Sequence, residues 1–216
     1  VPANPDDEFD IARTRITNWV VNDFFYHAVR TGEILFPYRD AVEVPELKGS
    51  CDFWAINYYT RHFVTARNAS GTAPRYECHR IRPIKNDFYL EEFYPQALVD
   101  GLCRLKDLPV YITENGCCCD DDRWRIVKMC QDLSAIRDAM NSGVDIRGVL
   151  HWSLMDNYEW VSFIPRFGMV HVDFKTFKRT PKPSSQFFKE IIKHNGFTPA
   201  MVDKYLPELP KFKLFK

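Results

Sequence analysis

The sequence predicts an α/β protein built on a parallel sheet with crossover helices. Three observations carry that prediction. Segments with helical spacing of apolar residues alternate with short extended runs. Those runs are apolar without clean alternation, as in strands buried on both faces. Each run also ends in polar and aromatic residues: Asn57-Tyr58-Tyr59 after the first, Glu114-Asn115 after the second, and Trp152 leading into Asp156-Asn157-Tyr158-Glu159-Trp160 after the third. In parallel α/β folds, function collects at the C-terminal ends of strands.

Residues 6–31 read as a helix. Asp6 or Asp7 can cap it, and Phe9, Ala12, Ile16, Trp19, Val20 and Phe24 recur at helical spacing up to Gly32. Pro37 and Pro45 mark a loop. Residues 51–59 (CDFWAINYY) form the first strand. The polar stretch 67–85, with Gly71, Pro74 and Pro83, reads as a surface loop. A helix over 91–106 places Phe93, Ala97, Leu98, Leu102 and Leu105 on one face. Glu91 and Glu92 open it, where carboxylates suit the helix dipole rather than acid catalysis. Residues 109–113 are the second strand, and Asn115-Gly116 supplies a turn. The acidic cluster Asp120, Asp121 and Asp122 suits the start of a helix over 123–141, with Ile126, Met129, Leu133, Ile136 and Met140 inward. Residues 148–155 (GVLHWSLM) are the third strand and 169–174 a short extended piece. A final helix over 184–194 follows Pro181 and Pro183 and stops at Asn195-Gly196. Repeats, low-complexity segments and linkers are absent, so residues 1–216 read as a single domain.

The 216 residues are 45% hydrophobic, enough for one sizeable core. Lys+Arg and Asp+Glu are both 29, so zero net charge favours neither nucleic acid nor an anionic membrane as partner. No run approaches the ~20 apolar residues that span a bilayer. The chain opens at Val1 with its first Met at Met129, which reads as a processed chain or a piece of a longer one. Seven Cys in no framework spacing read as reduced thiols in a cytoplasmic setting. Cys117, Cys118 and Cys119 are adjacent and cannot easily face one metal; they read as a non-metal loop, with a redox-sensitive or adventitious metal site as the alternative.

Carboxylates, Asn, Tyr and Trp in one mouth suit a carbohydrate. Trp offers an apolar face to a sugar ring, and Glu and Asn bond paired hydroxyls. A Glu at a strand end is, by itself, more often an ion-pair partner than a catalyst. Context makes Glu114 specific: YITENG at 111–116 is followed by HWSLMDNYEW and RFGMVHVDF, and preceded by DFWAINYYT.

These motifs resemble glycoside hydrolase family 1, the β-glucosidase family, over residues 2–196. The resemblance implies a (β/α)8 TIM barrel and a retaining β-glycosidase that needs no metal or organic cofactor. Glu114 would be the nucleophile and Tyr59 would hydrogen-bond it, with Asn57 beside it. Trp152 would floor the glycone subsite, while Glu159 and Trp160 would bind the outer hydroxyls. Retaining chemistry requires a carboxylate at the anomeric carbon and a second carboxyl ~5–5.5 Å away to protonate the leaving oxygen. The nucleophile is ionised while its partner is not, and a Tyr hydroxyl stabilises the ionised form. Relatives acting on 6-phosphosugars usually carry a smaller residue at the place of Glu159, whose charge would repel phosphate; the expected substrate is an unphosphorylated β-glycoside.

The family's acid/base lies in an Asn-Glu-Pro motif, which this sequence lacks, as it lacks the Gln-His-Trp segment. The opening VPANPDDEFD resembles the stretch after the fifth barrel strand. The chain would then supply about strands six to eight, the C-terminal half, and such a barrel typically takes about 250 residues. Unclosed strand edges are prone to aggregation, so an N-terminal portion is expected as a second chain or missing segment, and this chain alone is expected to be inactive or nearly so. The alternatives are a non-catalytic sugar-binding relative or an inactive structural fragment. Two departures from the family pattern adjoin the site: "VSFIP" between Trp160 and Arg166 is short, and "GCCCDDD" follows the nucleophile. His151 reads as a packed core residue, and Asp156 and Asn157 as supports of the loop that aims Glu159.

Overall fold

The computed structural model describes residues 1–66, 92–160 and 162–209. The loop expected over 67–85 lies outside the described residues, as does Glu91. The chain divides into two units: Val1–Trp54 with the described part of Arg61–Cys78, and Ala55–Thr60 with the described part of His79–Lys216.

In the first unit the helix expected over 6–31 is three pieces: α1 (Glu8–Asn18), a π-helical turn (Trp19–Asp23) and α2 (Phe24–Thr31). Asp7 caps α1, accepting from the amides of Phe9 and Asp10. The wide turn coincides with the β-branched pair Val20-Val21. There the Asn18 side chain donates to Asp23 (2.6 Å) and accepts from Asn22 (2.9 Å), side-chain bonds that compete with the regular ladder. Gly32, left-handed at φ 84°, ends α2 as the sequence suggests. The loop marked by Pro37 carries a short antiparallel pair, β1 (Glu33–Ile34) with β2 (Val42–Glu43), which sequence reading missed because two-residue strands have no period. Ala28, Val29 and Trp54 are this unit's buried apolar residues, with the Tyr26 ring edge-on to Trp54 at 5.0 Å.

A three-stranded sheet orders β3 (Trp54–Tyr58), β4 (Val110–Asn115) and β5 (Ile146–His151) side by side. β4 and β5 are parallel, pairing Val110 with Ile146, Ile112 with Val149 and Asn115 with His151. Bonds from Thr113 to the Ile56 carbonyl and from Asn115 to the Tyr58 carbonyl advance together along β3 and β4. The sheet is open, as expected of part of a barrel. The crossovers carry α3 (Pro95–Leu102) and α4 (Asp122–Asn141). α3 is shorter than the expected 91–106 because Pro95 occupies its first turn and Tyr94 before it is non-helical (φ −132°, ψ 76°). Its Leu98 and Leu102, with Leu105 beyond, are buried as their spacing requires. α4 buries Ile126, Met129 and Ile136, but Met140, expected inward, is 49% exposed. In its place α4 buries Arg125, Lys128 and Asp132, which periodicity in apolar residues could not anticipate.

β5 begins and ends earlier than the 148–155 expectation. Beyond His151 the backbone leaves the strand, and Ser153 instead exchanges bonds with the Phe167 carbonyl and the Met169 amide. β6 (Val170–Val172) and β7 (Arg179–Pro181) form an antiparallel pair. α5 (Pro183–His194) ends at left-handed Asn195. α6 (Pro199–Tyr205), which the sequence reading did not include, is capped by Thr198 and opened by Pro199, a signal that was available. Phe187 and Ile191 of α5 and Met201 and Leu206 at α6 pack with Ile126 and Met129 in this unit's main core cluster.

Candidate active site

The C-terminal ends of β3, β4 and β5 bring the expected residues to one edge. Tyr59, one residue beyond β3, donates from its hydroxyl to Glu114 Oε2 at 2.8 Å. Asn57 does not bond Glu114. It is exposed, and its Oδ1 accepts from the Thr113 hydroxyl at 2.8 Å, which places it against the residue preceding Glu114. Tyr59 is held from behind by Phe167, edge-on at 5.9 Å, in a small cluster with Cys118 and Trp152.

Local geometry requires Gly116 just beyond Glu114. A Cβ there would lie 1.8 Å from the Trp152 carbonyl oxygen, so the β4 exit can pass this close to the β5 exit only as glycine. The Trp152 amide donates to the Asn115 carbonyl at 3.0 Å, tying the same two exits together. The Trp152–Ser153 peptide is cis.

Trp152 Nε1 donates to Glu159 Oε1 at 3.0 Å, and Glu159 is buried. Burial is the main cause that holds the Glu159 carboxyl above its ordinary range. The hydrogen bonds from Trp152 and Asn157 oppose the shift, and the charges of Glu114 and Asp156 add to it. Trp160 stands apart: it is 85% exposed with φ 56°.

The loop carrying Glu159 is fixed by Asp156, whose side chain is fully buried. It accepts from the Gly168 amide (3.0 Å), the Val172 amide (3.3 Å), Arg166 Nη1 (3.3 Å) and Lys182 Nζ (3.4 Å), with His171 Nδ1 also at 3.3 Å. Gly168 is needed here, since a Cβ would come within 2.1 Å of the Asp156 nitrogen. Asn157 donates to Ser153 Oγ at 3.1 Å. His151 is half-buried as a residue, and its Nε2 is buried with no hydrogen-bond partner among the described residues. Burial first, then the Arg125 and Lys128 charges, take its pKa down to about 3, so it is neutral and unsuited to acid–base work at neutral pH.

Cys117, Cys118 and Cys119 are buried, and Cys118 packs in a different cluster from the other two. Cys118 Sγ accepts from the Arg166 amide at 3.3 Å, while the Cys117 and Cys119 sulfurs lie 3.9 Å apart. The Cys117 bond holds the Cys119 thiol below its ordinary range against the effect of burial, with Arg125 assisting. Among the described residues no group of three His, Cys, Asp or Glu is arranged to hold a metal ion. No helix among them is long and apolar enough to cross a membrane.

Sequence reasoning missed the supports behind the site. Arg125 is fully buried, donates to the carbonyls of Phe167 (3.2 Å) and Arg166 (2.9 Å), and pairs with Asp122. Lys128 and Asp132 form a buried pair at 2.7 Å. Their i,i+4 spacing on the α4 face that also carries the buried Ala135 and Ile136 was the available signal.

A model of the family described as "Glycosyl hydrolase family 1" matches residues 20–197. A "Beta-galactosidase" of Sulfolobus acidocaldarius is 34% identical over 98% of this chain and 44% of its own length. A "Beta-glucosidase" of an Agrobacterium species is 31% identical over 88% of this chain and 47% of its own. Among solved structures, the β-glycosidase from Pyrococcus horikoshii superposes with a TM-score of 0.77 at 31% identity, covering 95% of this chain and 48% of that one. The chain spans about half the length of the relatives it matches, and its fold is a partial portion of their (β/α)8 barrel.

Proposed function

From a chain that belongs to glycosyl hydrolase family 1, we propose the C-terminal half of a retaining β-glycosidase, residues 1–216 acting as one partial domain of a closed barrel. The observation that carries this reading is the Tyr59–Glu114 hydrogen bond of 2.8 Å at adjoining strand exits, with Trp152 and Glu159 joined beside it. Glu114 attacks the anomeric carbon of an unphosphorylated β-glycoside, and the glycosidic bond to the leaving oxygen breaks as the Glu114 ester forms. The Tyr59 hydroxyl orients the attacking carboxylate. Trp152 underlies the sugar ring, Glu159 and Trp160 bind its outer hydroxyls, and Asn57 lines the mouth next to Thr113. Water then cleaves the ester with retention of configuration. The acid/base that protonates the leaving oxygen and later activates that water comes from an N-terminal portion, as a second chain or a preceding segment. This chain alone therefore has little or no turnover. The reaction needs no metal or organic cofactor, and the setting is cytoplasmic.

The test is Glu114→Gln in the complete protein, assayed on aryl β-glucosides and β-galactosides. Losing the nucleophile lowers kcat at least about a thousandfold while the fold, read by circular dichroism, is unchanged. Near-unsubstituted activity contradicts the assignment. Sugar binding without turnover by the unsubstituted protein would instead support a non-catalytic relative.

A further inference from the structure

The Tyr59–Glu114 bond sits on a buried polar layer that the reaction itself does not use. Asn115, directly after Glu114, donates through Nδ2 to the Tyr58 carbonyl at 3.1 Å and to Asp132 Oδ2 at 2.8 Å. Tyr58 directly precedes Tyr59. The same Asp132 oxygen accepts from Lys128 Nζ at 2.7 Å, and both side chains are 2% exposed. Lys128 Nζ lies over the rings of Tyr58 (5.1 Å) and Phe93 (5.4 Å). Thus one side chain of α4 is bonded, through Asn115, to the chain neighbour of each member of the Tyr59–Glu114 pair.

We propose that the Lys128–Asp132 pair is a positioning device: through Asn115 it sets the relative advance of β3 and β4, and so holds Glu114 within reach of Tyr59. Two physical arguments support it. Successive side chains along a strand point to opposite faces, so a bond made by Asn115 on one face fixes the backbone that presents Glu114 on the other. A buried ion pair is, moreover, a poor device for stability, because desolvation offsets its Coulomb attraction; its best-attested use is to specify register. Asp132 meets that description, since its carboxylate serves an amide from a neighbouring element as well as its own helix. Without an acceptor at 132, Asn115 keeps only the Tyr58 carbonyl, and the β4 exit can slide relative to β3. Displacement of about 1 Å at a reacting group costs up to about a hundredfold in rate.

This inference rests on the glycosidase reading for its kinetic consequence but not for its geometry. The test uses the complete protein with Lys128→Met and Asp132→Leu combined. That removes both charges at similar volume, an exchange that often leaves stability unchanged or raised. A second variant, Lys128→Met with Asp132→Asn, returns a neutral acceptor for Asn115. Crystal structures read the Tyr59–Glu114 distance, melting temperature reads the fold, and kcat and KM are measured separately. In the first variant the distance lengthens beyond hydrogen-bond reach and kcat falls about ten- to a hundredfold with KM nearly unchanged; in the second both return most of the way. A Tyr59–Glu114 distance that stays near 2.8 Å in the first variant overturns the proposal. So does a second variant no better than the first. A lengthened distance, restored in the second variant, in a protein that hydrolyses no β-glycoside leaves the positioning device standing and removes the glycosidase reading. Should the first variant fail to fold, the second decides alone, by retaining the distance where Asn115→Ala in the same protein loses it.

Discussion

Two helical regions break the usual rule of apolar inside and charged outside, in opposite ways. α4 buries Arg125, Lys128 and Asp132 while leaving Met140 half exposed. The run from α1 to α2 leaves Phe9 67% and Val21 70% exposed, with Val20 and Phe25 also open. The buried charges of α4 are partnered: Arg125 by two carbonyls and Asp122, Asp132 by Lys128 and Asn115. They form a layer beneath the strand ends, where each buried charge has its partners. The apolar residues of the N-terminal run have no comparable account among the described residues. Our proposal supplies one, in that the missing part of the barrel covers them. The candidate site residues are supported from within this chain, whereas the N-terminal run carries exposed apolar surface.

That contrast can be broken first at its most connected point. Asp156 is buried among two amides and the cations of Arg166 and Lys182. Asp156→Ala leaves those cations uncompensated and costs about 3–5 kcal/mol, read as a lower denaturation midpoint. A loss below about 1 kcal/mol would show that the loop carrying Glu159 is held by something else.

Tyr59→Phe probes the site itself. It removes one hydrogen bond to a carboxylate at 2.8 Å and keeps the ring against Phe167. A bond of that kind is worth about 1.5–3 kcal/mol, so kcat in the complete protein drops roughly ten- to a hundredfold. An unchanged kcat would mean the bond plays no part in turnover.

The pH dependence of stability tests the buried charge layer through His151. Its pKa, taken from 6.5 down to about 3 by burial and the neighbouring cations, is depressed in the folded chain. Below 6.5 the unfolded chain binds a proton that the folded chain refuses. This contribution is therefore complete above the ordinary value and is lost as pH falls toward the folded one, by about 1.4 kcal/mol per unit within that window. His151→Leu flattens that limb of the curve; a slope indistinguishable from the unsubstituted protein contradicts the assignment.

The smallest effect belongs to the other region. Val21→Ser costs under about 0.5 kcal/mol in this chain alone, since the side chain is already in water. In the complete protein the same change costs more, because there the face is covered. Equal urea midpoint shifts in both settings would remove that cover from the account.

How much of this was legible in the sequence follows from which forces leave a local trace. Strand ends rich in Tyr, Glu and Trp pointed to the candidate site, and the order of helices and strands to the sheet, because both are written in consecutive residues. Gly32 and Asn195 could be read as helix ends because left-handed geometry restricts residue choice. The Lys128–Asp132 layer was not read, since a charge on a helix looks solvated until its neighbours are known. Nor could the absence of a bond between Asn57 and Glu114 be read: adjacency at a strand end fixes the backbone, while Thr113, one residue away, had the better placed hydroxyl. Met140 misled for a related reason. Helical spacing marks a stripe, but the last turn of α4 extends past the core that the stripe serves.

The most direct test of the central claim is covalent trapping. A 2-deoxy-2-fluoro-β-glucosyl fluoride is incubated with the complete protein, which is then digested and its peptides mass-mapped. The account predicts one fluoroglucosyl adduct, on the peptide containing Glu114, and none in Glu114→Gln. An adduct on another carboxylate, or product of inverted configuration from a natural β-glycoside with no adduct at all, would contradict it.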